Sequence, residues 1–406
     1  MDLLSRLQSE FGEAVAPRAA LKYDAVDGVQ PQAIAAPRDE EAAQALVHWC
    51  GRENVAFVPR GGGTKLHIGA PPTRCDLIIS TEKLTQIFDH DVVNATVRVG
   101  AGITIEDLDL AMRSHGQFLP LCGDPADESL PTLGGVVATN CYDGSKLKYG
   151  APRDLVTGLH AVLSDGRLVK AGSKVVKNVS GYDLNKIFIG SFGSLGLVTQ
   201  VTVRLLPEPM KSVIWMCDAT WSEAEAMAGV IVNGAFDPTS LRVFSTDEGC
   251  SVRALFEGGE LAVKSQMAQL PPAKSECGFK LESYKWLVRA HLPLQAAPIW
   301  ASQISQTGCE LVWDCALGMV RVGFSGDCDV ATLRAAAEKL GGFLIVEEAP
   351  VEFKTADLVW GTPRGDFALM KKLKQSFDAA SVTQLAGWFR DPRPCARRHP
   401  VHDPLG

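Results

Sequence analysis

The string VPRGGGTKLHIG, from Val58 to Gly69, carries the densest chemistry in the chain: an apolar run passes directly into three consecutive glycines, then a hydroxyl and a cation. Without Cβ atoms such a turn can point its backbone N–H groups inward and bring the main chain close to an anion, forming the concave amide nest that cradles a phosphate or pyrophosphate. Two other phosphate-binding patterns fail on their letters. A Walker loop needs Gly-Lys-Ser/Thr where this chain has Gly63-Thr64-Lys65, and the dinucleotide fingerprint G-x-G-x-x-G needs glycine where Leu66 stands. Taken alone, a triple-glycine turn is equally a surface loop. Two further glycine-rich elements follow: PTLGGVVATN from Pro131 to Asn140, and KNVSGYDLNKIFIGSFGSLGLVTQVTVRLLP from Lys177 to Pro207, with glycines at 190, 193 and 196. Any one of them could be structural. Three in one domain, all suited to close backbone approach, imply an extended ligand lying along them.

The elements that must position these loops read as α/β or α+β. Strand signals fall at Ala56 to Pro59, Leu77 to Ser80, Thr96 to Val99, His160 to Leu163 and Val198 to Leu205. Thr104 followed by Asp107 resembles a capping box ahead of IEDLDLAMRS, with Gly116 as the stop. The Pro-rich LLPEP at 205–209 marks a break. From about 211 to 350 a strand, helix, strand, strand order occurs twice. The first set runs from KSVIWMCDA through a helix capped by Ser222 and ended by Gly234 to LRVFS and SVRALFE; the second includes CELVWDC, GMVRVGF, a helix at Val330 to Leu340 and FLIVEE. Such units place helices on one face of an antiparallel sheet, the pattern of an α+β second domain. Phe367, Met370, Leu373 and Phe377 form a helical stripe in DFALMKKLKQSF, read as core-facing.

Composition closes off several functions. With 406 residues, 46% hydrophobic and 21% charged, the chain is ordinary globular material of two or three domains. No apolar run approaches the ~20 residues that span a bilayer, and the first residues, MDLLSRLQSEFGEA, lack a signal-peptide pattern. A net charge of -7 without a Lys/Arg block argues against nucleic acid as a partner, the RDPRPCARRHP stretch being read as a Pro-rich tail. The eleven cysteines contain no CxxC, so clustered thiolates for zinc or iron–sulfur ligation are absent and reduced, buried thiols are expected.

Taken in order, PRGGGTK, VGAGITIEDL at 99–108, TLGGVVATN, KYGAPRDLVTGLHAVLSDGRLV at 148–169 and GYDLNKIFIGSFGSLGLVTQVTVRLLP resemble the FAD-binding domain of the vanillyl-alcohol oxidase / p-cresol methylhydroxylase superfamily. The resemblance covers roughly the first half of the chain. Within that superfamily KNVSGYDLNKIFIGSFGSLG is most similar to the E-subunit type of glycolate oxidase FAD-binding subunits. The D-subunit type usually has an acidic residue where Phe192 stands. The resemblance implies an α+β, two-lobed FAD-binding domain at 1–208, a cap domain with an antiparallel sheet at 209–364, a helix at 365–390 returning to the FAD domain, and a tail at 391–406. It implies that Pro59, Arg60, Gly61, Gly62, Gly63 and Thr64 hold the FAD pyrophosphate through their main chain, with Lys65 and Gly69 closing the loop. Thr132, Gly134, Gly135, Thr139 and Asn140 would line the ribityl and flavin side, and Val198 would touch the adenine or the isoalloxazine. Relatives with a covalent flavin often have His where this chain has Thr64, so a non-covalent FAD is expected.

Further implied are a larger flavin subunit and an iron–sulfur subunit as partners, a small 2-hydroxy acid as substrate, no metal, and a cytoplasmic location peripheral to the inner membrane through those partners. The chain departs from relatives that act alone: it has no H-x-G-D-G-N-x-H motif, and His291 is the only histidine between 209 and 390. The usual Asn-Pro-Gly turn near the end reads Gln384-Leu385-Ala386. Carboxylate-binding cations would come from Arg242, Arg253, Arg289 or Arg321, though surface salt bridging is the simpler reading of each. Tyr182 and Lys186 are candidates to face the flavin, and no catalytic base is identified. Three functions remain open: an FAD subunit of a glycolate-type dehydrogenase complex, a self-sufficient hydroxy acid dehydrogenase, or a structural flavin carrier.

Overall fold

The computed structural model describes residues 2–121, 130–172, 183–246, 249–273, 284–305, 309–363 and 365–384. Short apolar runs bounded by turn residues become the first sheet: β1 (Ala33–Ala35), β2 (Phe57–Arg60) and β3 (Leu77–Ser80), with β1 and β2 both parallel to β3. Every residue of β1 and β3 is buried, as expected of parallel strands covered on both faces. Helix α1 (Glu40–Arg52), capped by Asp39 accepting from the Ala42 N–H, packs Leu46, Val47 and Trp49 into this core. The outer edge of β2 is covered by the far end of the chain. Phe57 N donates to Val382 O at 2.7 Å and Gln384 N donates to Phe57 O at 2.8 Å.

A second, antiparallel sheet comprises β4 (Ile87–Asp91), β5 (Thr96–Gly100), β6 (Val156–Val162), β7 (Leu168–Gly172) and β8 (Leu197–Arg204), in the order β4-β5-β8-β6-β7. Against it lie α2 (Ile105–Arg113) and α3 (Leu133–Thr139). Thr104 caps α2 as the sequence predicts: its hydroxyl accepts from the Asp107 N–H and donates to Asp107 Oδ2 at 2.6 Å. Glu40 on α1 joins the two sheets by reaching His160 Nδ1 at 3.0 Å and Thr199 Oγ1 at 2.8 Å.

After Leu206–Pro207, which pair back with Gln117–Phe118, the chain enters the cap. Its strands are β9 (Lys211–Ala219), β10 (Ser240–Thr246), β11 (Gly249–Gly258), β12 (Trp286–His291), β13 (Glu310–Asp314), β14 (Met319–Phe324) and β15 (Phe343–Glu348). Helices α4 (Trp221–Asn233), α5 (Glu260–Met267), α6 (Ala297–Ser305) and α7 (Val330–Lys339) build a core with the sheet. The sheet order β9-β11-β10-β13-β14-β12-β15 is two equivalent three-strand sets meeting head to head at the antiparallel β10–β13 pair, with β15 added at one edge.

The repeat inferred from sequence exists, but its second unit starts one strand and one helix earlier, at β12 and α6. Helix α6, APIWASQIS, has a proline in its first turn and no charged residue, so its polar face is faint in the sequence. The cap of α4 is Thr220, not Ser222: its hydroxyl accepts from the Glu223 N–H while Glu223 reaches back to the Thr220 N–H. The stripe on α8 (Phe367–Phe377) faces the protein yet is only half-buried; Phe377 meets Phe188 edge-on at 5.6 Å. Trp300, fully buried on α6, anchors the second repeat. Trp300→Ala is expected to destabilise the cap by about 3–5 kcal/mol, read as a lowered midpoint in urea unfolding.

Candidate cofactor site

Where β2 ends, the chain turns along the residues before α3. A Cβ on Gly61 would fall 2.0 Å from Thr132 Oγ1, and one on Gly62 would fall 2.1 Å from Leu130 O, so only glycine permits this approach. Gly63 follows with φ +82°. Among the described residues, no intramolecular hydrogen bond engages the N–H of Gly61, Gly62, Gly63 or Thr64. A row of unengaged main-chain donors on a folded loop is the donor set an anion requires.

This loop separates two clefts. The larger, about 1020 Å³, is lined by residues 60–68, by Tyr23 to Asp27, by Glu82, Thr104, Asp107 and Thr132, and on the cap side by Tyr284, Leu287, Glu347 and Glu348. That exceeds the ~300–1,000 Å³ typical of small-molecule pockets and suits an extended ligand. The smaller is lined by residues 59–66, Thr81, Thr132, Gly134, Gly135, Ala138, Thr139, Phe192, Gly193 and 196–198.

The structure thus brings Pro59, Arg60, Gly61, Gly62, Gly63, Thr64, Lys65, Thr132, Gly134, Gly135, Thr139 and Val198 around one loop. Thr132 caps α3 by accepting from the Gly135 N–H, and Thr139 Oγ1 donates to Gly135 O at 2.8 Å. Gly69 and Asn140 lie outside both linings. Asn140 instead ends α3 at φ +51°, and its Oδ1 accepts from the Arg153 N–H.

Arg60 contributes main chain only. Its Nη1 donates to Asp24 Oδ1 at 2.8 Å, and Arg18 Nη1 donates to Asp24 Oδ2 at 3.0 Å. Asp24 is 2% exposed; burial opposes its charge, but hydrogen bonds from Arg18, Arg60 and the Leu21 N–H outweigh it and hold the carboxyl down at about 2. Nothing in the sequence pointed to Asp24, Asp27, Glu347 or Glu348, because each reaches the site from a segment remote from the motif.

Of the cap arginines named above, Arg242, Arg289 and Arg321 are ion-paired and mostly buried, while Arg253 is half-buried on β11. Arg242 Nε donates to Asp314 Oδ1 at 2.7 Å and its Nη2 lies 3.5 Å from Asp143 Oδ2; Arg289 and Arg321 flank Glu347 at 3.2 and 3.4 Å. Burial, with Arg289 adding to it, pushes the His291 imidazole down to about 3, and the ring stacks on Phe343 at 5.0 Å. Lys186 pairs with Asp183 at 3.1 Å on the surface. Gln384 accepts from Thr73 Oγ1, while Tyr182, Leu385, Ala386 and the tail fall outside the described residues. Cys50, Cys75, Cys141, Cys217, Cys309 and Cys315 are buried thiols; Cys122, Cys277 and Cys395 are not described. Among the described residues no group of three or more His, Cys, Asp or Glu side chains could hold a metal.

Residues 31–172 match the family described as FAD binding domain, so FAD is the cofactor of this part of the chain. Glycolate oxidase subunit GlcD of Bacillus subtilis (strain 168) is 35% identical over 225 residues, 54% of this chain and 47% of that protein. D-lactate dehydrogenase of Archaeoglobus fulgidus is 38% identical over 194 residues, 48% of this chain and 41% of that one. D-2-hydroxyglutarate dehydrogenase of Xanthomonas citri pv. viticola is 38% identical over 186 residues, 46% and 39% of the two chains. The matches thus span less than half the length of these relatives. The solved structure of an alkyldihydroxyacetonephosphate synthase shares the fold at TM-score 0.64 and 18% identity, over 87% of this chain and 76% of that chain.

Since the folded Asp24 value lies below the ordinary 3.8, its stabilisation is complete above about pH 4 and lost as pH falls toward 2, a loss of about 2 kcal/mol. Acid-unfolding curves of the parent and Asp24→Asn should converge over that interval, the variant being the less stable at neutral pH.

Proposed function

We propose that the chain is the FAD-binding subunit of a multi-subunit glycolate or D-2-hydroxy acid dehydrogenase, passing electrons from a non-covalent flavin to an iron–sulfur partner. The observation that carries this reading is the row of unengaged amides from Gly61 to Thr64 beside a cleft of about 1020 Å³. The named relatives supply the substrate class. Main-chain N–H groups of the loop hold the diphosphate, and Thr132, Gly134, Gly135, Thr139 and Val198 shape the smaller cleft beside it. Bound FAD supplies the acceptor for two electrons and a proton. The cap contributes Tyr284, Leu287, Glu347 and Glu348 to one wall of the larger cleft.

The partner requirement draws on the cap charges: Arg242, Arg289 and Arg321 have carboxylates of this chain beside them. A substrate carboxylate would have to compete with those partners. We assign the chain to the E-subunit type on its Phe192 and glycine pattern, although the glycolate oxidase relative from Bacillus subtilis is named a D-type subunit. No helix among the described residues is long and apolar enough to cross a membrane, and the proposed location is cytoplasmic, at the inner membrane through partners. A second reading, a dehydrogenase that acts by itself on a D-2-hydroxy acid, draws on the relatives named D-lactate and D-2-hydroxyglutarate dehydrogenases.

Anaerobic addition of glycolate or D-lactate to the isolated, FAD-loaded chain separates the two. The subunit reading expects bleaching of the flavin band only after the partners are added; full bleaching of the chain alone would overturn it. Gly62→Glu, which drives a carboxylate into the nest, is expected to abolish FAD uptake while leaving the complex assembled, measured by flavin absorbance across a sizing column. Loss of assembly together with colour would instead favour a purely structural flavin.

A further inference from the structure

The loop that bears the unengaged amides is gripped at its far end by the cap. Lys354, 7% exposed, follows the turn Val351–Phe353 after the last cap strand. Its Nζ donates to Asp27 Oδ1 at 3.0 Å, to Asp27 Oδ2 at 3.1 Å and to the His67 carbonyl at 2.7 Å. All three ammonium hydrogens therefore have acceptors, two on the N-terminal segment and one on the nucleotide loop.

Two successive turns connect the gripped carbonyl to the nest: Leu66 N donates to Gly63 O at 3.3 Å and Ile68 N donates to Lys65 O at 3.2 Å. Displacing His67 therefore displaces Gly63. A second contact reinforces the grip, His67 Nε2 lying 3.6 Å from Glu348 Oε1. Lys354 itself is held by its neighbour Phe353, whose ring packs on Trp286 of β12 at 5.6 Å.

We propose that Lys354 is a positioning residue for the cofactor: from the cap it fixes the far end of the nucleotide loop, so that the amides of residues 61–64 are aligned for a diphosphate only when the cap is docked. This rests on the reading that those amides hold FAD. It goes beyond that reading in making cofactor affinity depend on a side chain in the other lobe. By linkage, FAD binding must strengthen cap docking by the same factor.

The test uses the full-length apo-protein titrated with FAD. The parent must first take up FAD; its failure would sink the cofactor reading itself and not the clamp alone. Replacing the buried ion pair with neutral side chains, Lys354→Met with Asp27→Asn, avoids stranding a buried charge and keeps a residue that tolerates the left-handed backbone at position 27, φ +44°. The expected result is an unfolding midpoint close to the parent's with FAD affinity weaker by about ten-fold or more. Lys354→Arg, which keeps a cation between Asp27 and His67, should recover part of the loss. Parent-like affinity in the double variant would overturn the proposal, because the pair would then be simple adhesion between lobes. Hydrogen exchange in the unmutated protein tests the clamp independently, whether or not the double variant folds. FAD should slow exchange at residues 351–358 more than along the remote edge strand β9, and equal slowing would equally overturn the clamp.

Discussion

The structure depends on main-chain amides left without partners. Burying or crowding an unpaired N–H is unfavourable, so a fold that leaves those of Gly61 to Thr64 unengaged has to hold the loop from outside. Here packing does it: the glycines lie against Leu130 O and Thr132 Oγ1 at separations that leave no room for a side chain. The Arg60 guanidinium is drawn off to Asp24, away from the loop's main chain.

Charge is paired in the same way inside each lobe and, at Asp27 and Lys354, between them. Asp24 takes Arg18 and Arg60, Asp27 takes Lys354, Glu347 takes Arg289 and Arg321, and Asp314 takes Arg242. Buried pairs of this kind contribute little net stability over apolar packing, but breaking one is costly. Their value here is geometric: all but Arg18–Asp24 fix the distance between segments far apart in sequence.

Local features were legible in the amino acids. The Leu77–Ser80 strand, the Thr104 cap and the helix at 330–339 arise from neighbouring residues and stand where the sequence puts them. The glycine loop was legible for the same reason: its function lies in missing side chains, which a sequence records directly. The second cap repeat was read one strand and one helix late, because the charge-free helix Ala297–Ser305 carries almost no amphipathic signal. The opposite walls of the cleft, at 23–27 and 347–348, were not legible. Asp24 meets Arg60 across 36 residues and Asp27 meets Lys354 across 327, and no local pattern encodes either.

The strand Phe57–Arg60, which launches the nucleotide loop, has one edge closed by residues 382–384. During synthesis on the ribosome that edge is exposed until more than three hundred further residues have emerged. A nascent chain can therefore build most of its first lobe early yet completes the strand beneath the glycines only late. The order of translation and the order of folding are opposed at this one element, and its open edge could pair wrongly for as long as those intervening residues take to emerge.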